Sequence, residues 1–596
     1  MRVINSTWRV SLVLLTVSVH GQPNPFQSDN TQVFFGDTHL HTNYSFDAFL
    51  NFNQSADPDT AYRWAKGQPV IHPYNRARVK INTPLDFLVV SDHAEMLGVM
   101  RAVREETAIF EDQGAYQNFK RWFSVWLMNR AIDNGRGLEF FSRFIPPALE
   151  VDSNHSDPVK NPNNNINEVN VFGDTDAISK LAWADITATA DRHNVPGEFT
   201  AFIGWEWSSI PTGANLHRVV VTPDGADKAT QFLPFGSDDS QYPEDLWQWL
   251  EDTRRKTGTR FIAIPHNSNI SKGYMFDDRT LRGAPIDADY AQRRMHWEPI
   301  VEVTQIKGDS ETNSQLSPDD EFADFENYTF YIQSGRTKFV SSSGDFVRPA
   351  LKRGLTIGQE VGANPYKFGL IGSSDSHSGL ASVEEKNFWG KMARDSTPET
   401  KSSGQRLNGS DGWNMSASGL AAVWATENTR EAIFAAFKRK EVYATSGPRL
   451  KVQLFGGWEF PKDVADSESF AQIGYQYGVP MGGDLSATHN KKSPSFILRA
   501  VKDPKDANLD RMQIIKGWVN ADGEQFERVY NVAWSGERNL DKNGKLPAVG
   551  NSVDTNTATY TNTIGEPELS AYWVDPDFDP KQPAFYYARV LQIPTP

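Results

Sequence analysis

VFFGDTHLHTNYSFDA, residues 33–48, joins a short apolar run to two histidines spaced i, i+2. On a strand those two imidazoles point to one face, so both can grip a single ion. Six more short apolar runs touch acids or histidines: LDFLVVSDH (85–93), FTAFIGWEW (199–207), LHRVVV (216–221), RFIAIPH (260–266), PIVEVTQ (299–305) and FGLIGSSDSH (368–377). Runs of four to six apolar residues without alternation predict parallel strands buried on both faces. Helical patterns lie between several of them, such as TDAISKLAWADITATADRHN (175–194) and DLWQWLEDTRRKTG (245–258), which predicts an α/β layout. In six of the seven runs the ligand-type residues stand at or beyond the end of the apolar stretch, where α/β barrels place their chemistry. His217, which precedes its run, is the exception.

Two insertions interrupt this alternation. Residues 99–172 hold an aromatic helical piece, QNFKRWFSVWLMNRAI, and then a polar Asn/Pro/Asp stretch; residues 379–417 are rich in Gly, Ser, Asn and Lys. Loops of that length in a compact domain are functional or poorly ordered. After TENTREAIFAAFKRKEVYATSGPR (426–449) the texture turns to short alternating strands, which predicts a β-rich C-terminal module from residue 449 to 596. At the other end, Arg2 and Arg9 lead into VSLVLLTVSV (10–19), an apolar core of signal-peptide length that is too short to span a bilayer. Val19 and Gly21 supply small residues for cleavage, so residues 1–21 are expected to be a leader and the mature protein to be periplasmic or secreted, free of the membrane.

Composition narrows the classes. The 596 residues are 39% hydrophobic and 23% charged, which excludes wholesale disorder and long coiled coils. The net charge of −15 removes the basic footprint of a nucleic-acid binder. With no cysteine there are no disulfides, thiolate metal sites or cysteine nucleophiles. Nucleotide loops, a G-x-S-x-G elbow and H-E-x-x-H are also absent.

The histidines concentrate instead of scattering. Of the 12, His39, His41, His93, His217, His266 and His377 all fall in the strand-associated runs. Asp375-Ser376-His377 repeats the i, i+2 spacing of the first pair. Glu206, between Trp205 and Trp207, faces away from both indoles, and a carboxylate there suits a bridge between two cations. Asp47 alone reads as a turn or cap residue. Asp92, next to His93, reads either as a group orienting that imidazole or as a proton shuttle. Lys307 and Arg449 are the candidate cations for an anionic substrate, set against ordinary surface charge.

GDTHLHTNYSFDA, VVSDHAE, GWEWSS, LHRVVV, IPHN and GSSDSH, in that order, resemble the motifs of the PHP superfamily, the polymerase and histidinol phosphatase group of metal-dependent phosphoesterases. VYATSGPR and the AFYYARVLQIPTP tail are similar to a large secreted bacterial branch of it. The resemblance implies a distorted seven-stranded (β/α) barrel over residues 22–448, holding two or three divalent ions of manganese, zinc or iron. Carried over by position, His39, His41, Glu206 and Asp375 would hold the first ion. Glu206 would bridge to a second on His217 and His266, and Asp47, His93 and His377 would hold a third. Many PHP phosphatases have histidine where Asp47 stands, and an oxygen ligand there shifts preference toward manganese or iron. The implied function is a secreted hydrolase in which a metal-bridging hydroxide attacks a small anionic phosphate ester, with Asp92, His93 and Asp375 as catalytic candidates. The same ions could serve a sulfate ester, lactone or amide. A metal or carbohydrate binder without catalysis is the third reading.

Overall fold

The computed structural model describes residues 31–110, 112–142, 145–164, 172–381, 383–402, 408–486 and 492–596. The expected leader, residues 1–21, lies outside them. All seven apolar runs are strands: β1 (Gln32–Leu40), β2 (Phe87–Val90), β3 (Thr200–Trp207), β4 (Arg218–Thr222), β5 (Ile262–Pro265), β6 (Ile300–Gln305) and β7 (Gly369–Gly372). Two later strands, β8 (Leu420–Ala425) and β9 (Val442–Thr445), complete the set.

Contrary to the parallel arrangement that the apolar runs predict, the strands are divided between two sheets and differ in direction. The seven-stranded sheet runs β9-β8-β1-β2-β3-β4-β5, while β7 and β6 pair in a separate sheet with Gly308–Asp309. β1, β2 and β3 are parallel, but β4 is antiparallel to both β3 and β5. A three-residue 3-10 turn at Pro211–Gly213 replaces a crossover helix between β3 and β4, so that connection is a hairpin and must be antiparallel.

Side-chain alternation divides the core. Phe87, Val89, Phe202, Val219, Val221, Ile262, Ile264, Ile300, Ile371 and Val423 form one cluster, with Ile433, Phe434 and Phe437 of the helix Arg430–Arg439. Their chain neighbours Leu88, Val90, Ala201, Ile203, Val220 and Ala263 point the other way, onto Tyr62, Trp64, Trp183, Leu246 and Trp247 of the surrounding helices. The first cluster draws on both sheets, so the sheets curl around it. Close packing of β7 on β8 and β9 requires a glycine: a Cβ on Gly372 would lie 2.8 Å from the Thr445 carbonyl oxygen and 2.9 Å from that of Leu420.

In the 99–172 insertion, the helix Ala115–Asp133 buries Met128 and Ile132 against Phe49, Leu50, Val99 and Met100, while Tyr116, Phe119, Trp122, Phe123 and Trp126 are exposed. No helix among the described residues is long and apolar enough to cross a membrane. Beyond residue 449 two antiparallel sheets pack face to face. One has the order Gly478–Pro480, Lys451–Gly457, Ser495–Val501, Glu568–Val574, and the other Gln525–Trp534, Leu509–Val519, Ala584–Gln592. Leu454, Leu498, Met512, Ile514 and Ala571 fill the space between them.

Candidate metal centre

One end of the curled sheet gathers all nine residues that the sequence nominates as ligands. Backbone pairing brings them there. Beyond β7 the chain lies along β1, with Asp375 N donating to His39 O at 2.8 Å and His41 N to Ser376 O at 2.9 Å. Beyond β2, Asp92 O accepts from Glu206 N at 3.0 Å, which sets His93 opposite Glu206. His217 reaches the same end because β4 runs antiparallel: its first residues lie where its neighbours finish.

His39 Nε2, His41 Nε2, Glu206 Oε2 and Asp375 Oδ1 converge. His39 Nε2 lies 3.1 Å from His41 Nε2, 3.5 Å from Glu206 Oε2 and 3.4 Å from Asp375 Oδ1. His41 Nε2 lies 3.1 Å from Glu206 Oε2 and 3.4 Å from Asp375 Oδ1. A tetrahedral ion bound at roughly 2.0–2.1 Å spaces its ligand atoms about 3.3 Å apart, so these four donors fit one. Glu206 Oε2 is buried and makes no hydrogen bond of its own. The other oxygen, Oε1, lies 2.5 Å from His217 Nδ1 and 2.9 Å from His266 Nε2. Glu206 thus divides its two oxygens between two imidazole groups, the disposition a bridging carboxylate needs.

Asp47 joins a third group with His41, His93 and His377. Asp47 Oδ2 is 2.7 Å from His377 Nε2, and Oδ1 is 3.4 Å from His93 Nε2. Asp47 Oδ1 also accepts from Ala48 N at 2.7 Å inside the short helix Phe46–Leu50, so the helix-turn and ligand readings both describe it.

Second partners orient these imidazoles. His39 Nδ1 lies 3.2 Å from Glu302 Oε2, His41 Nδ1 lies 2.9 Å from Ser45 Oγ, and His93 Nδ1 lies 2.5 Å from Ser208 Oγ. Asp92 does not contact the His93 ring. It accepts from Thr42 N and Thr42 Oγ1, each at 2.6 Å, and from Ser45 Oγ at 2.7 Å, so it steadies His41 through Ser45. Sequence reasoning missed Glu302. A carboxylate hydrogen-bonded behind a ligating histidine typically supports metal affinity by 10–100-fold. Glu302→Gln should therefore weaken Mn²⁺ binding by about 10-fold or more with the ion count unchanged, as read by equilibrium dialysis; an unaltered affinity would remove Glu302 from this role.

The charges favour cations. Burial alone would raise the carboxyl pKa values of Glu206, Asp47 and Asp375, but the surrounding imidazoles and lysines hold all three well below the usual range. Burial keeps His217 and His377 neutral, each near 3. It also opposes charge on His39 and His93, yet Asp375 and Glu302 raise His39 to about 10, and Glu206 and Asp47 raise His93 to about 9. Near neutral pH His39 and His93 therefore favour holding protons that an ion must displace. Apparent Mn²⁺ affinity should rise from pH 6.5 to 8.5, by at most about 100-fold per unit, with proton release visible by calorimetry in buffers of different ionisation enthalpy. A pH-independent affinity would contradict this charge state.

The two predicted substrate cations part company. Lys307 Nζ, buried, lies 2.7 Å from Asp375 Oδ2. Arg449 is not in the centre. Its guanidinium donates to the carbonyls of Pro84 at 2.7 Å and Thr83 at 2.6 Å, before β2 and so at the opposite end of the sheet. Lys391, from the 379–417 loop, enters instead.

Among solved structures, the chain is similar to a two-domain protein "containing predicted PHP-like metal-dependent phosphoesterase" from Bacteroides vulgatus ATCC 8482. The two are 9% identical, with 92% of this chain and 96% of the other covered and a TM-score of 0.27, too low to establish a common fold. No curated protein matches. A family model does match, over residues 28–596, and on that match the chain belongs to the DUF3604 family, described as a protein of unknown function.

Proposed function

We propose that this chain is an exported, divalent-metal-dependent hydrolase that cleaves phosphate esters. The observation that carries the reading is the four-donor set of His39, His41, Glu206 and Asp375, joined through Glu206 to His217 and His266. Divalent ions, when bound, lower the pKa of a shared water and neutralise charge on a phosphoryl oxygen. The chain's own groups do the rest. Glu302 and Ser45 fix the rings of His39 and His41, and the Lys307 ammonium offers charge-assisted hydrogen bonds to an oxyanion.

Phosphate, as against sulfate, lactone or amide, rests on the PHP resemblance of the motifs, since such donors serve all of these bonds. Manganese or iron suits the oxygen donor of Asp47 better than an all-nitrogen zinc site would. Export rests on residues 1–21. The chemistry is assigned to the part before residue 449.

The test is p-nitrophenol release by Mn²⁺-reconstituted protein from the phosphate monoester, the phosphodiester and the sulfate ester, with and without chelator. Chelator-sensitive cleavage of a phosphate ester is the expected result. Cleavage of the sulfate alone would reassign the bond, and no cleavage of any of the three would contradict the reading.

A further inference from the structure

Asp375 is held by two ammonium groups, one on each carboxylate oxygen. Lys307 Nζ lies 2.7 Å from Oδ2, where the Gln305 amide also donates at 2.8 Å, and Lys391 Nζ lies 2.7 Å from Oδ1. Lys391 also donates to Asp375 O at 2.8 Å and lies 3.0 Å from His377 Nδ1. Both lysines are buried, with side chains 11% and 5% exposed. A buried ammonium beside donors that gather cations works against those cations by like-charge repulsion. Two of them beside a loaded centre therefore favour the arrival of further negative charge. Asp375 Oδ1 is also one of the four converging donors, so an ion taken up there competes with Lys391 for that oxygen and leaves the ammonium a proton to give elsewhere.

Building on the hydrolase reading, we propose that Lys391 and Lys307 form the anion-holding half of the centre and select a doubly charged terminal phosphate, as in a phosphate monoester, over the singly charged group of a diester. Lys391 reaches the centre from the long loop after β7, so that loop carries specificity and is not a mere connection. Lys391 is a substrate-contacting group, whereas Arg449 is excluded by its position.

The test compares wild-type, Lys391→Met and Lys391→Arg proteins loaded with Mn²⁺. Metal content is counted first, and then inorganic phosphate and dimethyl phosphate are titrated in calorimetrically. A lost charge-assisted hydrogen bond predicts phosphate binding about tenfold or more weaker in Lys391→Met, with the Mn²⁺ count intact. Lys391→Arg should stay within a few-fold of wild type, and dimethyl phosphate should change far less than phosphate in every variant. Loss of Mn²⁺ from Lys391→Met would overturn the proposal, because Lys391 would then only steady Asp375 and His377. Unchanged phosphate affinity, or equal weakening for both anions, would overturn it too. Either of these with a phosphate-cleaving wild type defeats the lysine assignment alone. A Mn²⁺-loaded wild type that neither binds nor cleaves phosphate defeats the hydrolase reading as well.

Discussion

Glu206→Gln is expected to lose nearly all tightly bound Mn²⁺ and to lower kcat/KM for a phosphate ester by at least about 1,000-fold, some 4 kcal/mol of transition-state stabilisation. Glu206 divides its two oxygens between two pairs of imidazoles, Oε2 toward His39 and His41 and Oε1 toward His217 and His266. An amide keeps the shape and removes the charge, so the variant should fold while both groups lose their shared anion. His39→Ala should act in the same direction through the first group alone. The check is metal analysis after gel filtration beside turnover and circular dichroism. A folded Glu206→Gln protein with full metal content and more than a tenth of wild-type activity would rule out the bridging role.

The largest stability effect is expected far from the metal donors. Arg348, on the helix Val347–Val361, is fully buried. It donates to Asp320 at 2.8 Å, Glu527 at 3.1 Å and the Tyr587 hydroxyl at 2.7 Å, and pairs with Glu311 at 2.5 Å. Arg589 adds a 2.7 Å contact to Asp320. Glu527, Tyr587 and Arg589 belong to the C-terminal sheets, so this ion cluster ties those sheets to the elements around β6. Arg348→Met would leave the buried Asp320 and the half-buried Glu311 and Glu527 short of a counter-charge. Breaking a buried pair from one side costs about 3–5 kcal/mol, and the midpoint of denaturant unfolding should fall accordingly. A loss below about 1 kcal/mol would mean that Arg589 on Asp320 and Lys352, whose Nζ lies 2.6 Å from Glu527, already suffice.

The converging donors were legible because their spacing carries geometry. His39-x-His41 places two imidazoles together at the end of β1, whereas Asp375, in a left-handed turn with φ +51°, and His377 lie beyond β7 and face different donor groups, and Asp47 stands on the helix Phe46–Leu50. The order itself was not legible. Nothing in LHRVVV announces that β4 is antiparallel, although the early position of His217 was the visible trace of it. The pairing of β8 with β1 joins residues almost 400 positions apart, from Gln32 to Ala425, and leaves no local mark. Glu302 stands inside an apolar run and reads as an isolated buried acid until His39 is beside it. Lys391 sits in a loop without periodicity. The strand Leu509–Val519 shows no clear alternation in the sequence, for a physical reason. Asp510, Arg511, Gln513 and Lys516 are buried in it as paired polar groups, as in the 2.6 Å contact of Lys516 with Asp575, so the alternation that marks a half-exposed strand is broken.

The central claim is that the converging donors are a metal centre, and it can be tested without any substrate. Crystals grown with Mn²⁺ and measured near the manganese absorption edge should show an anomalous peak among His39 Nε2, His41 Nε2, Glu206 Oε2 and Asp375 Oδ1. A second should lie on the side of Glu206 Oε1, His217 and His266. A map with no peak within bonding distance of Glu206, at saturating Mn²⁺, would contradict the account.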